Sequence, residues 1–181
     1  MDEQLEFLRQ IAGRLGTAGL EYMTTGSMAM AVYTTPRMTR DEDVVVECTD
    51  RDVDTFMQLF SSDCYIDRTA VAGAIATRGM FNIIHNDWII RGDLIVRKDD
   101  VYRRTEFGRR RVIDIEGTPL NVVAAEDLIL SKLKWAQESG SELQRRDVKQ
   151  MLDADVEIDS NYLRQWATQL GVIELLEEIQ A

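Results

Sequence analysis

Hydrophobic residues recur at helical spacing at the start of the chain, where Leu5, Leu8, Ile11 and Leu15 would share one helix face over residues 2–15. Runs rich in β-branched residues follow, and each is of strand length. Up to residue 123 the pattern predicts further helices at 28–33 and 53–60, and strands at 20–24, 43–47, 81–85, 92–96, 112–115 and 120–123.

The pattern changes after residue 123, where helical periodicity replaces strand-like runs. Helices are predicted at 126–137, 142–152, 162–170 and 172–179. Mixed elements followed by helices indicate an α+β protein, with a small mixed sheet flanked by helices and a helical C-terminal region. We expect a core over residues 1–123 and a helical region over 124–181 that packs on it as one compact unit.

Composition and charge narrow the possible partners. The chain has 181 residues, 45% of them hydrophobic, and a net charge of −11. With no apolar run near the roughly 20 residues of a spanning helix and an acidic start, a cytoplasmic protein without a membrane partner is expected. An acidic surface disfavours long nucleic acid but permits a nucleotide bridged by Mg²⁺. The arginines at 103–104 and 109–111 are either a solvated loop or phosphate contacts.

Zinc chemistry finds no support, because His85 is the only histidine and Cys48 and Cys64 are far apart in sequence. Both cysteines are expected to be reduced thiols. The three tryptophans, at positions 88, 135 and 166, are expected in the core rather than as platforms for base stacking.

Carboxylates supply the candidate chemistry. Asp41 and Asp43 lie two residues apart where a strand begins, so both would point to one face, and Asp93 begins a second strand. Such a group suits one or two Mg²⁺ ions and in-line displacement at phosphorus. Gly26 and Ser27 precede a helix, whose first N–H groups offer a site for phosphate. The alternative is an ordinary acidic surface.

This ordered set resembles the nucleotidyltransferase superfamily of the polymerase-β type, whose signature is Gly-Ser, a spacer and Asp-x-Asp. The long spacer and the segment Arg-Met-Thr-Arg-Asp at 37–41 resemble the subgroup of the AbiEii toxin and its uncharacterised relatives. Asp93-Leu-Ile, Ala125 to Leu133 and Arg145-Arg-Asp-Val extend the resemblance over residues 25 to about 152.

The resemblance implies roles for ten residues. Metal binding and catalysis would fall to Asp41, Asp43 and Asp93, the last of which could also assist the attacking hydroxyl. Nucleotide binding would fall to Gly26, Ser27, Arg37, Thr39, Lys132, Arg145 and Asp147. The alternatives are a surface lysine for Lys132 and an ordinary helix charge pair for Arg145 and Asp147.

The implied activity is Mg²⁺-dependent transfer of a nucleoside monophosphate from an NTP to a hydroxyl of a protein, an RNA end or a small molecule, in a context related to toxin–antitoxin systems. Two metal ions are implied, and an oligomer is possible. Glu42 departs from the family pattern, which has a hydrophobic residue there, and suggests that this position is exposed or that the strand starts later. The rival interpretation is a catalytically silent nucleotide sensor or an antitoxin-like protein-binding module.

Overall fold

The computed structural model describes residues 2–35 and 41–181, and these parts of the chain form seven strands and nine α-helices. In chain order the elements are α1 (Asp2–Thr17), β1 (Tyr22–Thr25), α2 (Gly26–Tyr33), β2 (Asp41–Val46), α3 (Val53–Phe60), β3 (Cys64–Ile66), α4 (Arg68–Thr77), β4 (Met80–His85), β5 (Arg91–Val96), α5 (Val101–Gly108), β6 (Arg111–Ile115), β7 (Thr118–Val122), α6 (Ala125–Ser139), α7 (Glu142–Leu152), α8 (Ser160–Gln169) and α9 (Ile173–Gln180). The predicted α+β class is confirmed.

The strands form one mixed sheet in the order β3-β4-β5-β2-β1-β7-β6. Two neighbouring pairs are parallel, β2 with β5 and β1 with β7, and the other pairs are antiparallel. The parallel β2–β5 pair lies in the centre of the sheet, so it can hold side chains in a fixed register.

Three elements were not predicted, and each has a weak local pattern. β3 has only three residues, and α4 carries small residues on several sides. The segment that holds Arg103 and Arg104, for which the alternatives were a solvated loop and a phosphate contact, is not a loop but the helix α5. Asp100 precedes this helix, and its side chain accepts a hydrogen bond from the backbone N–H of Arg103 at 2.8 Å. A capped helix of eight residues leaves little periodicity to detect.

The C-terminal helices share the hydrophobic core of the sheet. Leu128, Ile129 and Leu133 on α6 are buried in the same cluster as Leu8 and Ile11 on α1. This burial comes from several sides of α6, because the helix contacts α2, α7 and α8. α6 is therefore rigidly placed beside the sheet. None of the helices formed by the described residues has the length and apolar character needed to cross a membrane.

Candidate functional site

Two central strands place the carboxylates on one face of the sheet. The register pairs Asp43 with Asp93 and Asp41 with Arg91 across the parallel strands β2 and β5. Because side chains alternate along a strand, residues 41 and 43 share a face, and their register partners on β5 lie on that face beside them. The sequence predicted this grouping of Asp41, Asp43 and Asp93, and the register explains how it is formed.

Repulsion within this carboxylate cluster is visible at Asp43. The pKa of Asp43 is raised to about 6, chiefly by burial and then by the negative charges of Asp93 and Asp41. Lys132 and Arg91 act in the opposite direction and lower this pKa. A positive ion bound nearby would therefore favour the ionised form of the Asp43 carboxylate.

Two side chains that the sequence did not single out hold the cluster in place. Arg91 Nη2 lies 3.1 Å from Asp41 Oδ2, and Arg91 Nε lies 3.1 Å from Asp93 Oδ1. Asn82 on β4, the register partner of Asp93, donates a hydrogen bond from Nδ2 to Asp93 Oδ1. The signal for both was available in the alternation of β4 and β5, because residues 82, 91 and 93 lie on one face.

The three candidate metal ligands fit a hard divalent cation, since all of them are carboxylates. Within residues 2–35 and 41–181, however, no three histidine, cysteine or carboxylate side chains are already arranged around a single metal position. Arg91 occupies part of the space, because it pairs with both Asp41 and Asp93. A cation bound here would therefore share Asp41 and Asp93 with Arg91 or displace its guanidinium.

Gly26 begins α2 directly against the carboxylate of Asp43. Its φ is +67°, and a Cβ at this position would lie 2.7 Å from Cγ of Asp43 and overlap the carboxylate oxygen. Only glycine fits such a position without strain. The side chain of Thr25 does not cap α2, and its first turn contains no acidic residue, so the first N–H groups and the buried Ser27 are placed to meet an anion.

Lys132 lies on α6 with a side chain that is only 5% exposed, so it is not a surface lysine. Its Nζ donates to Asp147 Oδ2 at 2.6 Å and to Gln144 Oε1 at 3.2 Å. Both partners belong to α7, and Asp147 is itself buried. This pair fixes the ammonium group beside the carboxylate cluster, where it acts electrostatically on Asp43.

A cavity of about 650 Å³ joins these groups. Its lining includes residues of the carboxylate cluster and the start of α2, together with residues of α6 and α7, among them Ser131, Lys132, Trp135, Leu143 and Gln144. Trp135 was expected in the core, but it is 58% exposed at this cavity. Its position follows from the spacing of three residues that places it on the same helix face as Lys132.

Arg145, another predicted nucleotide ligand, lies away from the cavity. Arg145 does not line the cavity, and instead its guanidinium pairs with Glu178 on α9 and lies 3.7 Å from Glu142. Arg37 and Thr39 fall outside the described residues. The structure thus brings seven of the ten predicted residues to the cavity or, for Asp147, to the lysine that lines it.

Glu42 corrects a sequence prediction. The strand starts at Asp41, and Glu42 is 0% exposed on the opposite face from the carboxylate cluster, so it is neither exposed nor outside the strand. Its register partner is Gly92, which lies against Ile11 and Ile83. Neither carboxylate oxygen of Glu42 has a hydrogen-bond partner among the described residues, and burial raises its pKa to about 9. Glu42 is therefore a neutral acid in the core that leaves the cluster intact.

The second part of the arginine cluster is structural rather than a phosphate contact. Arg109 Nε lies 2.9 Å from Asp127 Oδ2, and its Nη2 lies 2.9 Å from Glu126 Oε2. Arg110 pairs with Glu21 at 2.7 Å. Because Glu126 and Asp127 are buried at the start of α6, the two ion pairs of Arg109 connect α6 to the end of α5.

Comparison with known proteins gives structural neighbours. An antigenic nucleotidyltransferase-like protein from Paracoccidioides brasiliensis matches with a TM-score of 0.61 and 17% identity over 99% of this chain and 93% of that one. A nucleotidyltransferase from Thermotoga maritima matches with a TM-score of 0.56 and 16% identity over 80% and 92%. ANT(2″)-Ia in complex with adenylyl-2″-tobramycin matches with a TM-score of 0.63 and 11% identity over 93% and 97%.

No family model and no curated protein matches the sequence. The likeness to the solved structures covers most of each chain, and at these identities it establishes the fold. The chain therefore has the fold of nucleotidyltransferases, with an acidic cluster, a glycine-led helix and a buried lysine around one cavity.

Proposed function

We propose that this protein is a nucleotidyltransferase that moves a nucleoside monophosphate from an NTP to an acceptor hydroxyl. The observation that carries the proposal is the register pair of Asp43 and Asp93 on adjacent parallel strands, with Asp41 on the same face. Three carboxylates that repel one another, in a cavity that also contains the start of a helix, suit a site for a metal-bound triphosphate.

The reaction joins the acceptor oxygen to the α-phosphorus and breaks the bond between the α-phosphorus and the bridging oxygen, so pyrophosphate leaves. In this proposal Asp93 takes the hydroxyl proton, which is supported by the contacts of Asn82 and Arg91 that orient its carboxylate. The first N–H groups of α2 and the hydroxyl of Ser27 hold phosphate oxygens. Lys132, held in place by Asp147, supplies a positive charge that stabilises the negative charge developing on the phosphates.

Asp41, Asp43 and Asp93 would hold the divalent ions, for which Mg²⁺ is the natural choice with oxygen ligands. When bound, such ions lower the pKa of the attacking hydroxyl and neutralise charge on the leaving pyrophosphate. This chain's own contribution is to keep the carboxylates together by strand register and to keep Gly26 small enough for close approach.

The acceptor is proposed by class. One structural neighbour is described in complex with adenylyl-2″-tobramycin, which supports a hydroxyl acceptor on this fold. A protein side chain or an RNA end remains a candidate alongside a small molecule, and the net charge of −11 favours an acceptor that is not a long nucleic acid. The resemblance to AbiEii and the link to toxin–antitoxin systems stay predictions, as does a cytoplasmic location.

The second candidate is a protein that binds nucleotide without transferring it, as a sensor or an antitoxin-like module. Arg91 favours this possibility, because its guanidinium already pairs with both Asp41 and Asp93. A site whose carboxylates are satisfied by an internal cation could hold phosphate without assembling two metal ions. The two candidates differ in whether phosphorus is transferred.

The test is transfer of label from each α-³²P-labelled NTP, with Mg²⁺ and cell extract as the source of acceptor. Asp41→Ala and Asp43→Ala should abolish transfer. Glu42→Gln is the matched control, because its side chain lies on the opposite face of the same strand, and it should retain transfer. Nucleotide binding without transfer in any extract would favour the sensor, and no nucleotide binding would exclude both candidates.

A further inference from the structure

Trp135 is the large aromatic side chain among the residues that line the cavity. It is 58% exposed, whereas Trp88 and Trp166 are partly buried against other rings: Trp88 stacks on His85 at 4.0 Å, and Trp166 lies 5.0 Å from Tyr102. Among the described aromatic side chains, none packs against the ring of Trp135. A large apolar face is therefore presented to the cavity.

Leu143 provides a second exposed apolar group in the lining of the same cavity. It is 48% exposed and lies in the first turn of α7, just after the Gly140–Ser141 connection from α6. The connection is well defined, since Gly140 has a φ of +67° and the Ser141 side chain caps α7. Isolated exposed apolar residues are ordinary, but two that flank one cavity form a surface suited to a flat apolar group.

Trp135 lies in line with the phosphate end of the site. Lys132 and Trp135 are three residues apart on α6, so their side chains lie on one face about one helical turn, roughly 5 Å, from each other. A ligand that contacts Lys132 through phosphate and continues along α6 would reach Trp135 after one sugar. Gln144 and Glu138 also line the cavity, and they provide polar atoms beside the apolar surface of Trp135 and Leu143.

We propose that Trp135 and Leu143 bind the nucleobase of the donor NTP, with Trp135 stacked on the base. The proposal rests on the proposed function, since it assigns the phosphates to the Lys132 end of the same cavity. Stacking of a base on an aromatic ring is sequence-tolerant and changes affinity measurably on removal of the ring. The expected consequence is a site with little discrimination among bases through this contact.

The experiment compares NTP binding with inorganic tripolyphosphate binding, both with Mg²⁺, by isothermal titration calorimetry. Trp135→Ala should weaken NTP binding by about tenfold to a hundredfold and leave tripolyphosphate binding unchanged, because only the NTP carries a base. Trp135→Phe should retain most of the affinity. Val112→Ala, which shortens a residue 70% exposed that does not line the cavity, is the control and should change neither constant.

The outcomes distinguish a failure of the nucleobase assignment from a failure of the proposed function. Equal affinity of wild type and Trp135→Ala for NTP would overturn the nucleobase assignment while the proposed function stands. Equal weakening of both ligands would also overturn it, because the ring would then act on the phosphate end or on the fold. If the wild-type protein binds neither NTP nor tripolyphosphate, the proposed function itself fails. Thermal melting of each variant shows whether the fold is intact.

Discussion

The buried acid Glu42 predicts a specific dependence of stability on pH. Its pKa is raised from an ordinary 4.5 to about 9, chiefly by burial and then by the charges of Asp43 and Asp41. In the unfolded chain Glu42 releases its proton above about pH 4.5, whereas the folded chain keeps it to about pH 9. Because the folded state then binds more protons, stability falls as pH rises through this window.

The magnitude follows from proton linkage. Each pH unit inside the window costs about 1.4 kcal/mol, so from about pH 6.5 to about pH 8 the loss from Glu42 is about 2 kcal/mol. This interval lies above the pKa of Asp43, about 6, so Asp43 contributes little to the slope there. For a domain of this size, 2 kcal/mol corresponds to a fall of roughly 4–8 °C in melting temperature.

The assay is urea unfolding of metal-free protein at several pH values in this interval. Glu42→Gln should remove the slope, because the amide does not titrate. Glu42→Leu should remove it and also raise stability at every pH, since no polar group then lies unsatisfied in the core. Glu174→Gln, at an exposed glutamate on α9, is the control and should keep the wild-type slope. A wild-type slope equal to that of Glu42→Gln would refute the neutral buried acid.

Three further predictions concern the site. Gly26→Ala should lower the free energy of unfolding by about 2 kcal/mol or more and abolish nucleotide binding, because of its positive φ and the overlap with Asp43; denaturation and calorimetry test this. Lys132→Met should cost about 3–5 kcal/mol by removing the buried ammonium that pairs with the buried carboxylate of Asp147, and adding Asp147→Leu should restore most of it. Asp43→Asn should stabilise metal-free protein above pH 6 by about 3 kcal/mol, since the raised pKa disfavours ionisation there; unchanged melting would contradict the crowded cluster.

The sequence predicted elements whose pattern is local and strong. Val44 to Val46 predicted β2, and the run from Gly92 to Val96 predicted β5, so the grouping of the carboxylates followed. The register that sets Asp43 against Asp93 depends on contacts between distant segments, which no local pattern specifies. The short α5 and β3 were missed for the same reason, because tertiary packing stabilises them.

Residue type misled the interpretation at two positions. Glu42 was expected to be exposed because it is charged, although the alternation that puts Asp41 and Asp43 on one face requires residue 42 on the other. Trp135 was expected in the core because it is large and apolar, although its spacing from Lys132 places it toward the site. In both cases the periodicity of the element was a better guide than the residue type.

Transfer of the α-phosphoryl group is the central claim, and paired labels test it most directly. Wild-type protein is incubated with Mg²⁺, cell extract and the same NTP labelled with ³²P either at the α or at the γ position, and pyrophosphate is measured. The account predicts that acceptor is labelled only from the α position, with one pyrophosphate released per label. Label from the γ position, or no label beside demonstrated NTP binding, would contradict it.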